Sequence, residues 1–200
     1  MALFAAIVIA AAASRPLVVE GSVPLKSGQS PARVQVVMIA GRTEHKGCSG
    51  GVLHTGRFVV SVRRPGRPPV DTDLNALLGA ADLSFPEDGY SSVPPIHFAD
   101  FNRDGHPDFS IAPHFCGNNG QYSLLTIGQD GRVSRLATVP EGPLWIFDSG
   151  TSSESIAVTQ DGIQFSAYDN SSGTGVSSSY RWDPARRAFV FIPPTPRPEN

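Results

Sequence analysis

The sequence predicts an all-β domain built from antiparallel hairpins. Short apolar runs recur along the chain, turns rich in Asp and Gly separate them, and glycine and proline number 20 and 18 in 200 residues. Asp-Gly between apolar runs favours a hairpin because both residues tolerate positive φ. This length suits one domain, and the hairpins indicate a small propeller-like or sandwich arrangement without fixing the number of blades or sheets.

The first half of the chain is predicted to be mostly strand. Its elements are an arm or edge strand over residues 17–33, a β-branched run over 34–39, and a hairpin of residues 52–54 and 57–62 around Thr55-Gly56. Residues 63–69 contain three prolines, which donate no ladder hydrogen bond, so this stretch cannot be a central strand. Residues 74–79 predict one helical turn, with Asp71 or Asp73 as its cap.

The second half repeats a simple hairpin unit. Apolar runs face each other across short polar turns in residues 124–127 with 133–136, 156–159 with 163–168, and 180–182 with 189–192. Recurrent hairpins are typical of antiparallel sheets. We therefore expect residues 14–192 to form a single β domain and the proline-rich residues 193–200 to form a flexible tail.

One loop carries most of the chemical information. Residues 100–108 read Asp-Phe-Asn-Arg-Asp-Gly-His-Pro-Asp, with oxygen-bearing side chains at the first, third, fifth and ninth places and glycine at the sixth. Ca²⁺ takes six to eight oxygen ligands, which alternate polar residues on one curled loop can supply. The predicted ligands are the side chains of Asp100, Asn102, Asp104 and Asp108 and the backbone carbonyl of His106.

This loop departs from an EF-hand at one position. The twelfth place, where an EF-hand carries a bidentate glutamate, is Ile111. Residues 96–98 and 109–111 on either side look like strand ends, so we expect a calcium loop that closes a β-hairpin. The alternative is a turn that binds no metal, because Asn, Asp and Gly favour turns in any case.

The N-terminus is expected to be a secretory signal. Residues 2–13 are an apolar run too short to span a bilayer, and Ala11 and Ala13 fit a cleavage site of the A-x-A kind. A buried, alanine-rich helix is the alternative. A signal over residues 1–13 predicts a periplasmic or secreted protein with no membrane span.

Cys48 and Cys116 are the two cysteines of the chain. In an exported protein two cysteines most simply form a disulfide, which here would close a loop of roughly seventy residues and contribute about 4 kcal/mol. Two unpaired thiols are the alternative. Neither cysteine follows the apolar run directly, so we expect no lipid anchor.

Composition and motifs argue against several classes of function. The net charge of −2, with 17% charged residues, gives no basic excess for nucleic acid. Residues 47–53 and 58–62 resemble the segment before the catalytic histidine of chymotrypsin-like proteases, but Arg63-Arg64-Pro65 stand where that histidine belongs. The histidines lack a zinc spacing, and no phosphate-binding loop is present. We therefore expect no enzyme.

Arg63, Arg64 and Arg67 are expected to lie on a solvated loop, with binding of an acidic partner as the alternative.

The segment after the loop is a candidate for partner binding. Three aspartates in the loop repel each other until a cation neutralises them, so bound calcium would order the chain downstream to about Tyr122. An ordered aromatic side chain is pre-organised for recognition. The candidate residues are Gly117, Asn118, Asn119, Gly120 and Tyr122. The alternative is that Tyr122 simply begins the next strand.

Two resemblances follow from these motifs. Residues 96–136 resemble the FG-GAP or VCBS calcium blades of integrin-type propellers, whose loop reads Asp-x-Asp/Asn-x-Asp-Gly-x-x-Asp. Roughly residues 75–192 are similar to small periplasmic calcium-binding proteins that inhibit lysozyme-like peptidoglycan hydrolases, including immunity proteins against type IV secretion effectors. The second resemblance rests on the loop, the Gly-Asn-x-Gly segment, the Tyr-x-x-x-x-Ile strand and the Tyr-Arg-Trp-Asp-Pro…Phe-Val-Phe hairpin.

The resemblance implies that the loop holds Ca²⁺ to support the scaffold and that residues 117–122 enter a muramidase cleft. Many of the similar proteins are lipoproteins, whereas the anchoring cysteine is lacking here, and so is the Ser-Gly-x-x-Tyr segment of invertebrate- and chicken-type lysozyme inhibitors. The expected function is a calcium-stabilised exported inhibitor or immunity protein. The alternatives are a VCBS-type glycan- or surface-binding module without inhibitory activity, and a hydrolase whose paired carboxylates the sequence does not identify.

Overall fold

The computed structural model is all-β with one short helix, and it describes residues 16–17, 22–23, 31–45, 52–86, 96–113, 119–147 and 156–193. The predicted signal over residues 1–13 and residues 194–200 of the predicted tail lie outside this range. In chain order the elements are β1 (Pro16–Leu17), β2 (Ser22–Val23), β3 (Ala32–His45), β4 (Val52–Arg63), β5 (Val70–Asp73), α1 (Leu74–Leu78), β6 (Leu83–Pro86), β7 (Ile96–Ala99), β8 (Asp108–Ile111), β9 (Asn119–Ile127), β10 (Val133–Arg135), β11 (Ala137–Val139), β12 (Leu144–Phe147), β13 (Ala157–Val158), β14 (Gly162–Asp169), β15 (Thr174–Asp183) and β16 (Ala188–Ile192).

The described strands form three sheets, and the predicted all-β, antiparallel class is confirmed. The first sheet has the order β1-β3-β4-β5, with β2 also pairing with β3 and β6 with β4. The second has the order β10-β9-β8-β7, with β12 along the start of β9, and the third has the order β11-β16-β15-β14-β13. The pairing of β11 with β16 is parallel.

The predicted hairpin around Thr55-Gly56 is wrong. Residues Val52–Arg63 form one continuous strand, β4, which pairs along its length with β3. Gly56 lies opposite Gly41, and a Cβ atom on Gly56 would come within 2.2 Å of the carbonyl oxygen of Ala40. This glycine therefore marks a close approach of two backbones beside a register shift, and not a turn.

The predicted helical turn is α1, and Asp73 is its cap. The Asp73 side chain accepts a hydrogen bond from the Ala76 N–H at 3.0 Å, and Gly79 ends the helix with a left-handed φ of 68°. The buried side chain of Asn75 accepts from the Phe58 N–H at 2.7 Å, which ties the helix to β4. A five-residue helix is too short to be stable alone, so these bonds to the sheet hold it.

The other predicted hairpins are confirmed as β7–β8, β9–β10, β13–β14 and β15–β16. In the stretch predicted as an arm or edge strand, β2 pairs with β3. Strands β11 and β12 and the long β14–β15 hairpin were not predicted.

Two hydrophobic cores lie on either side of the second sheet. The first core contains side chains from the first and second sheets, among them Phe58 and Phe109. The second contains Phe101, Tyr122 and Phe189, together with apolar residues of β12 and β14. Burial of each aromatic side chain contributes roughly 2–3 kcal/mol. Phe101 lies within the loop of residues 100–108, so that loop is anchored in the second core while Phe109, just after it, is anchored in the first.

Candidate calcium site

The loop of residues 100–108 joins β7 to β8, as predicted for a loop that closes a hairpin. Its first carboxylate, on Asp100, curls the backbone by accepting two N–H groups. Oδ1 accepts from Asp104 N–H and Oδ2 from Gly105 N–H, each at 3.0 Å. Gly105 has a φ of 79°, a left-handed conformation that glycine adopts without strain, and it turns the chain back toward β8.

Asn102 and Asp104 hold each other inside this curl. Asn102 Oδ1 accepts from the Asp104 N–H at 3.1 Å, and Asn102 Nδ2 donates to Asp104 Oδ2 at 2.9 Å. The remaining oxygen, Asp104 Oδ1, accepts from the His106 N–H at 2.8 Å. The side chains at the first, third and fifth places of the loop are thus linked through one hydrogen-bonded network.

Asp108 has a different environment, because it is the first residue of β8 and its side chain is 0% exposed. Its Oδ2 accepts from the N–H groups of Phe101 at 3.0 Å and Asn102 at 3.4 Å. Its Oδ1 is buried and has no hydrogen-bond partner among the residues that the structure describes. A buried carboxylate oxygen with no partner is destabilising unless a proton or a cation compensates its charge.

Burial raises the pKa of the Asp108 carboxyl to about 6. The nearby charge of Asp104 raises this pKa further, while the Thr126 hydroxyl and the N–H groups of Asn102 and Phe101 lower it. Desolvation dominates because water is excluded from both sides of β8. Above pH 6 the loop therefore contains a buried negative charge that the Thr126 hydroxyl and backbone N–H groups only partly stabilise.

The donor set of the loop fits a hard cation. Carboxylate and amide oxygens are the ligands that Ca²⁺ prefers, and the unpartnered Asp108 Oδ1 is available to one. Among the described residues, however, no group of three or more His, Cys, Asp or Glu side chains lies close enough to hold a metal ion. In the loop, Asp100 and Asp104 accept hydrogen bonds from backbone N–H groups, and Asp104 also accepts from Asn102 Nδ2.

His106 was predicted to contribute its backbone carbonyl. The residue lies in the loop and is half-buried, with its N–H donated to Asp104. The structure thus brings Asp100, Asn102 and Asp104 together and places Asp108 beneath them through the backbone of residues 101 and 102.

The candidate partner-binding segment is only partly described. Gly117 and Asn118 lie outside the described residues, and Asn119 begins β9. Tyr122 is 3% exposed and belongs to the second core, and its ring passes Gly120, where a Cβ atom would lie 2.5 Å from Tyr122 Cε2. This placement agrees with the alternative in which Tyr122 is part of a strand.

Beside this segment lies an exposed aromatic residue that the sequence patterns did not predict. Trp145 on β12 pairs with Gln121 on β9 and is 45% exposed. Its neighbours Leu144 and Ile146 are buried, which is the alternation of a strand with one buried face. That alternation within Leu-Trp-Ile is the signal that could have identified it.

Cys48 and Cys116, the two cysteines of the predicted disulfide, lie outside the described residues. Arg64 begins the turn of residues 64–69, whose residues 65–69 are exposed, but its own side chain is partly buried and donates to the carbonyl oxygens of Gly128, at 2.8 Å, and of Gln129. It therefore ties the turn after β4 to the turn after β9, whereas Arg63 and Arg67 are exposed.

Within the part of the chain that the structure describes, no helix has the length and apolar character needed to cross a membrane. Comparison of the chain with protein-family models, curated proteins and solved structures gave no match.

Proposed function

We propose that residues 100–108 bind Ca²⁺ and that the ion stabilises an exported binding protein, most concretely an inhibitor or immunity protein against a lysozyme-like peptidoglycan hydrolase. The observation that supports the metal is the fully buried Asp108 carboxylate with one oxygen unpartnered. A cation supplies the positive charge that the surroundings of this oxygen lack.

Calcium suits the loop better than a transition metal. The predicted ligands are carboxylate, amide and carbonyl oxygens, and such a set favours Ca²⁺ over metals that select imidazole or thiolate. Asp108 pairs with Thr126 of β9, so an ion bound there would stiffen the junction of β8 and β9. Because β9 contributes side chains to both cores, stabilisation at this junction would reach both halves of the molecule.

Calorimetry with Ca²⁺ tests the metal site. We expect saturable heat on adding Ca²⁺ to metal-free protein, and a melting temperature that EDTA lowers; at a hundredfold excess over Kd the stabilisation is about 2.7 kcal/mol. Asp130→Asn is a matched control, because Asp130 lies in the exposed β9–β10 turn and accepts from Arg132 N–H. Absence of heat, together with melting that EDTA leaves unchanged, would contradict the proposal.

Trp145 supports the binding function. A half-exposed tryptophan on a rigid strand can anchor a protein interface, where tryptophan is enriched among the residues that dominate affinity. It lies opposite Gln121, next to the segment predicted to enter a muramidase cleft. We therefore assign the contact with the hydrolase to Trp145 and the adjoining backbone of β9.

Inhibition of muramidases tests this assignment. With Ca²⁺ present, we expect the protein to suppress turbidity clearance of peptidoglycan by at least one lysozyme-like hydrolase and to co-elute with it. Trp145→Ala should weaken inhibition by at least about tenfold, whereas Ile39→Ser, which alters an exposed apolar residue of the first sheet, should not. If no hydrolase of this class is inhibited or bound, the inhibitory function is wrong, and calcium binding with a non-inhibitory surface-binding role remains.

A further inference from the structure

A cleft of about 250 Å³ lies between the loop of residues 100–108 and the third sheet. Its walls include Asn102 and Arg103 from the loop, Gln160 and Asp161 from the turn before β14, and Arg181 and Trp182 from β15. The cleft is distinct from the proposed calcium ligands, apart from Asn102, and from Trp145.

The lining of the cleft is cationic. It contains Arg103 and Arg181 against one carboxylate, Asp161, and neither arginine forms an ion pair within the described residues. Arg103 Nη1 donates to the Gln160 carbonyl oxygen at 3.1 Å. A guanidinium has five N–H donors, so this bond orients Arg103 and leaves donors for a ligand.

The backbone of Arg103 is held in an uncommon conformation. Its φ is 58°, in the left-handed region, which disfavours an arginine by about 1 kcal/mol relative to glycine. If this position served only to turn the chain, glycine would make the loop more stable. In this conformation the long cationic side chain of Arg103 reaches the Gln160 carbonyl oxygen across the cleft.

Trp182 adds a rigid aromatic wall. Its ring packs against Phe189 with ring centroids 4.9 Å apart, and its backbone N–H donates to the Asp161 carbonyl oxygen at 2.9 Å. The indole and the turn that carries Gln160 and Asp161 are therefore fixed relative to each other. An aromatic wall next to polar side chains suits a ligand whose ring is apolar on its face and carries polar groups at its edge.

We propose that this cleft binds a sugar acid. The carboxylate of the ligand would pair with the guanidinium groups of Arg103 and Arg181, the sugar ring would lie against Trp182, and ring hydroxyls would bond to Gln160 and Asp161. Arginine is suited to this role because its planar fork matches a carboxylate. An inorganic anion would leave the indole and Asp161 without a role, and a neutral sugar would leave the arginines without one.

Tryptophan fluorescence tests the proposal directly. The chain has two tryptophans, so Trp145→Phe leaves Trp182 as the single reporter. We expect galacturonic acid to change its emission saturably, and galactose and inorganic phosphate to bind at least about tenfold more weakly, because each lacks one of the two recognised features. The titrations are run with Ca²⁺ and with EDTA, so that the cleft is assessed whether or not the loop binds metal.

Arginine variants in the same background complete the test. Arg181→Gln should weaken galacturonic acid by about tenfold or more, and Arg103→Gln provides a second, independent removal of charge if the first variant unfolds. Arg132→Gln removes an exposed arginine outside the cleft and should change nothing. Absence of saturation, equal binding of galactose, equal binding of phosphate, or indifference to both cleft variants would each overturn the assignment.

Discussion

Asp108 and Asp169 each lie where a strand meets a polar turn, but the environments of their carboxylates are opposite. Asp169 ends β14 and carries a turn in which its carboxylate accepts from the Ser171 N–H at 2.9 Å and from the hydroxyls of Ser171 and Ser172 at 2.7 and 2.9 Å. Those hydrogen bonds, led by that of the Ser171 hydroxyl, lower the pKa of Asp169. Asp108 begins β8, is fully buried, has one unpartnered oxygen, and has a pKa raised by burial.

The difference shows what distinguishes a structural turn from a candidate metal site. Both segments are rich in polar residues that favour turns, so composition alone does not separate them. The Asp169 turn satisfies its own carboxylate in water and needs no ion. Asp108, the last carboxylate of the loop before β8, is buried. A proton or a cation therefore has to compensate its negative charge.

The largest effect is expected from replacing Asp108 by asparagine. Asp108→Asn removes the buried negative charge and should lower Ca²⁺ affinity by at least about 100-fold, which corresponds to about 2.7 kcal/mol. In EDTA the variant should be no less stable than the parent, because an amide oxygen still accepts from the Phe101 and Asn102 N–H groups and no charge is buried. Calorimetry and urea unfolding measure the two effects, and undiminished Ca²⁺ binding would remove Asp108 from the site.

A second prediction concerns pH in the absence of metal. The Asp108 carboxyl has a folded-state pKa of about 6 against an ordinary value of 3.8, so the folded state binds this proton more tightly than the unfolded state. Its contribution to stability is therefore fully present below pH 3.8 and is lost as pH rises through 6. In EDTA this contribution to the free energy of unfolding should fall by roughly 2–3 kcal/mol between pH 4 and pH 8.

Urea unfolding of the parent and of Asp108→Asn across this pH range isolates the contribution, since the variant lacks the proton. Asp169 acts with the opposite sign, because its lowered pKa stabilises the fold above its ordinary pKa and that stability is lost as pH falls. Parallel pH profiles for the parent and Asp108→Asn would contradict the assignment.

Two glycines give a smaller, matched effect. Gly105 and Gly173 have φ values of 79° and 69°, and a Cβ atom added to either would meet no close neighbour. Alanine at each position should therefore cost about 1 kcal/mol in EDTA, from backbone strain alone. Only Gly105→Ala should also weaken Ca²⁺ binding. Equal calcium affinities in the two variants would show that the curl of the loop does not matter to the ion.

The smallest effect is expected for Asp169→Asn. The asparagine retains one acceptor for the Ser171 N–H, so the melting temperature should fall by about 2 °C or less at neutral pH. The difference from the parent should vanish at low pH, where Asp169 is protonated. Calcium affinity should be unchanged, and a loss of affinity would mean that the two turns are coupled.

Local patterns in the sequence were sufficient for much of the fold. The loop and four hairpins followed from spacing and turn residues, because a ligand loop and a tight turn are each determined within about ten residues. The burial of Asp108 could not be predicted, since it depends on the pairing of Asp108 with Thr126 and on Phe101 packing into the second core. Long-range contacts therefore decide the property that matters most at this site.

The failures have the same origin. Gly56 was interpreted as a turn, whereas its role is to let β4 approach β3 at Gly41. The β14–β15 hairpin was missed because Ser177, Ser178 and Ser179 on β15 carry no apolar pattern and are held in register by pairing with residues 164–166. The parallel contact of β11 has no local signal at all.

That parallel contact has a consequence for the order in which the chain matures. Ala137 emerges during translation some fifty residues before its partner Ala188, and β16 also brings Phe189 to the second core. Among the described residues, the buried side chains of the first core end at Val133, so this part of the core can close while the polypeptide is still growing. The third sheet cannot form until β16 has been synthesised. A nascent chain that stalls between Ala137 and Ala188 would therefore expose apolar side chains of the second core to chaperones.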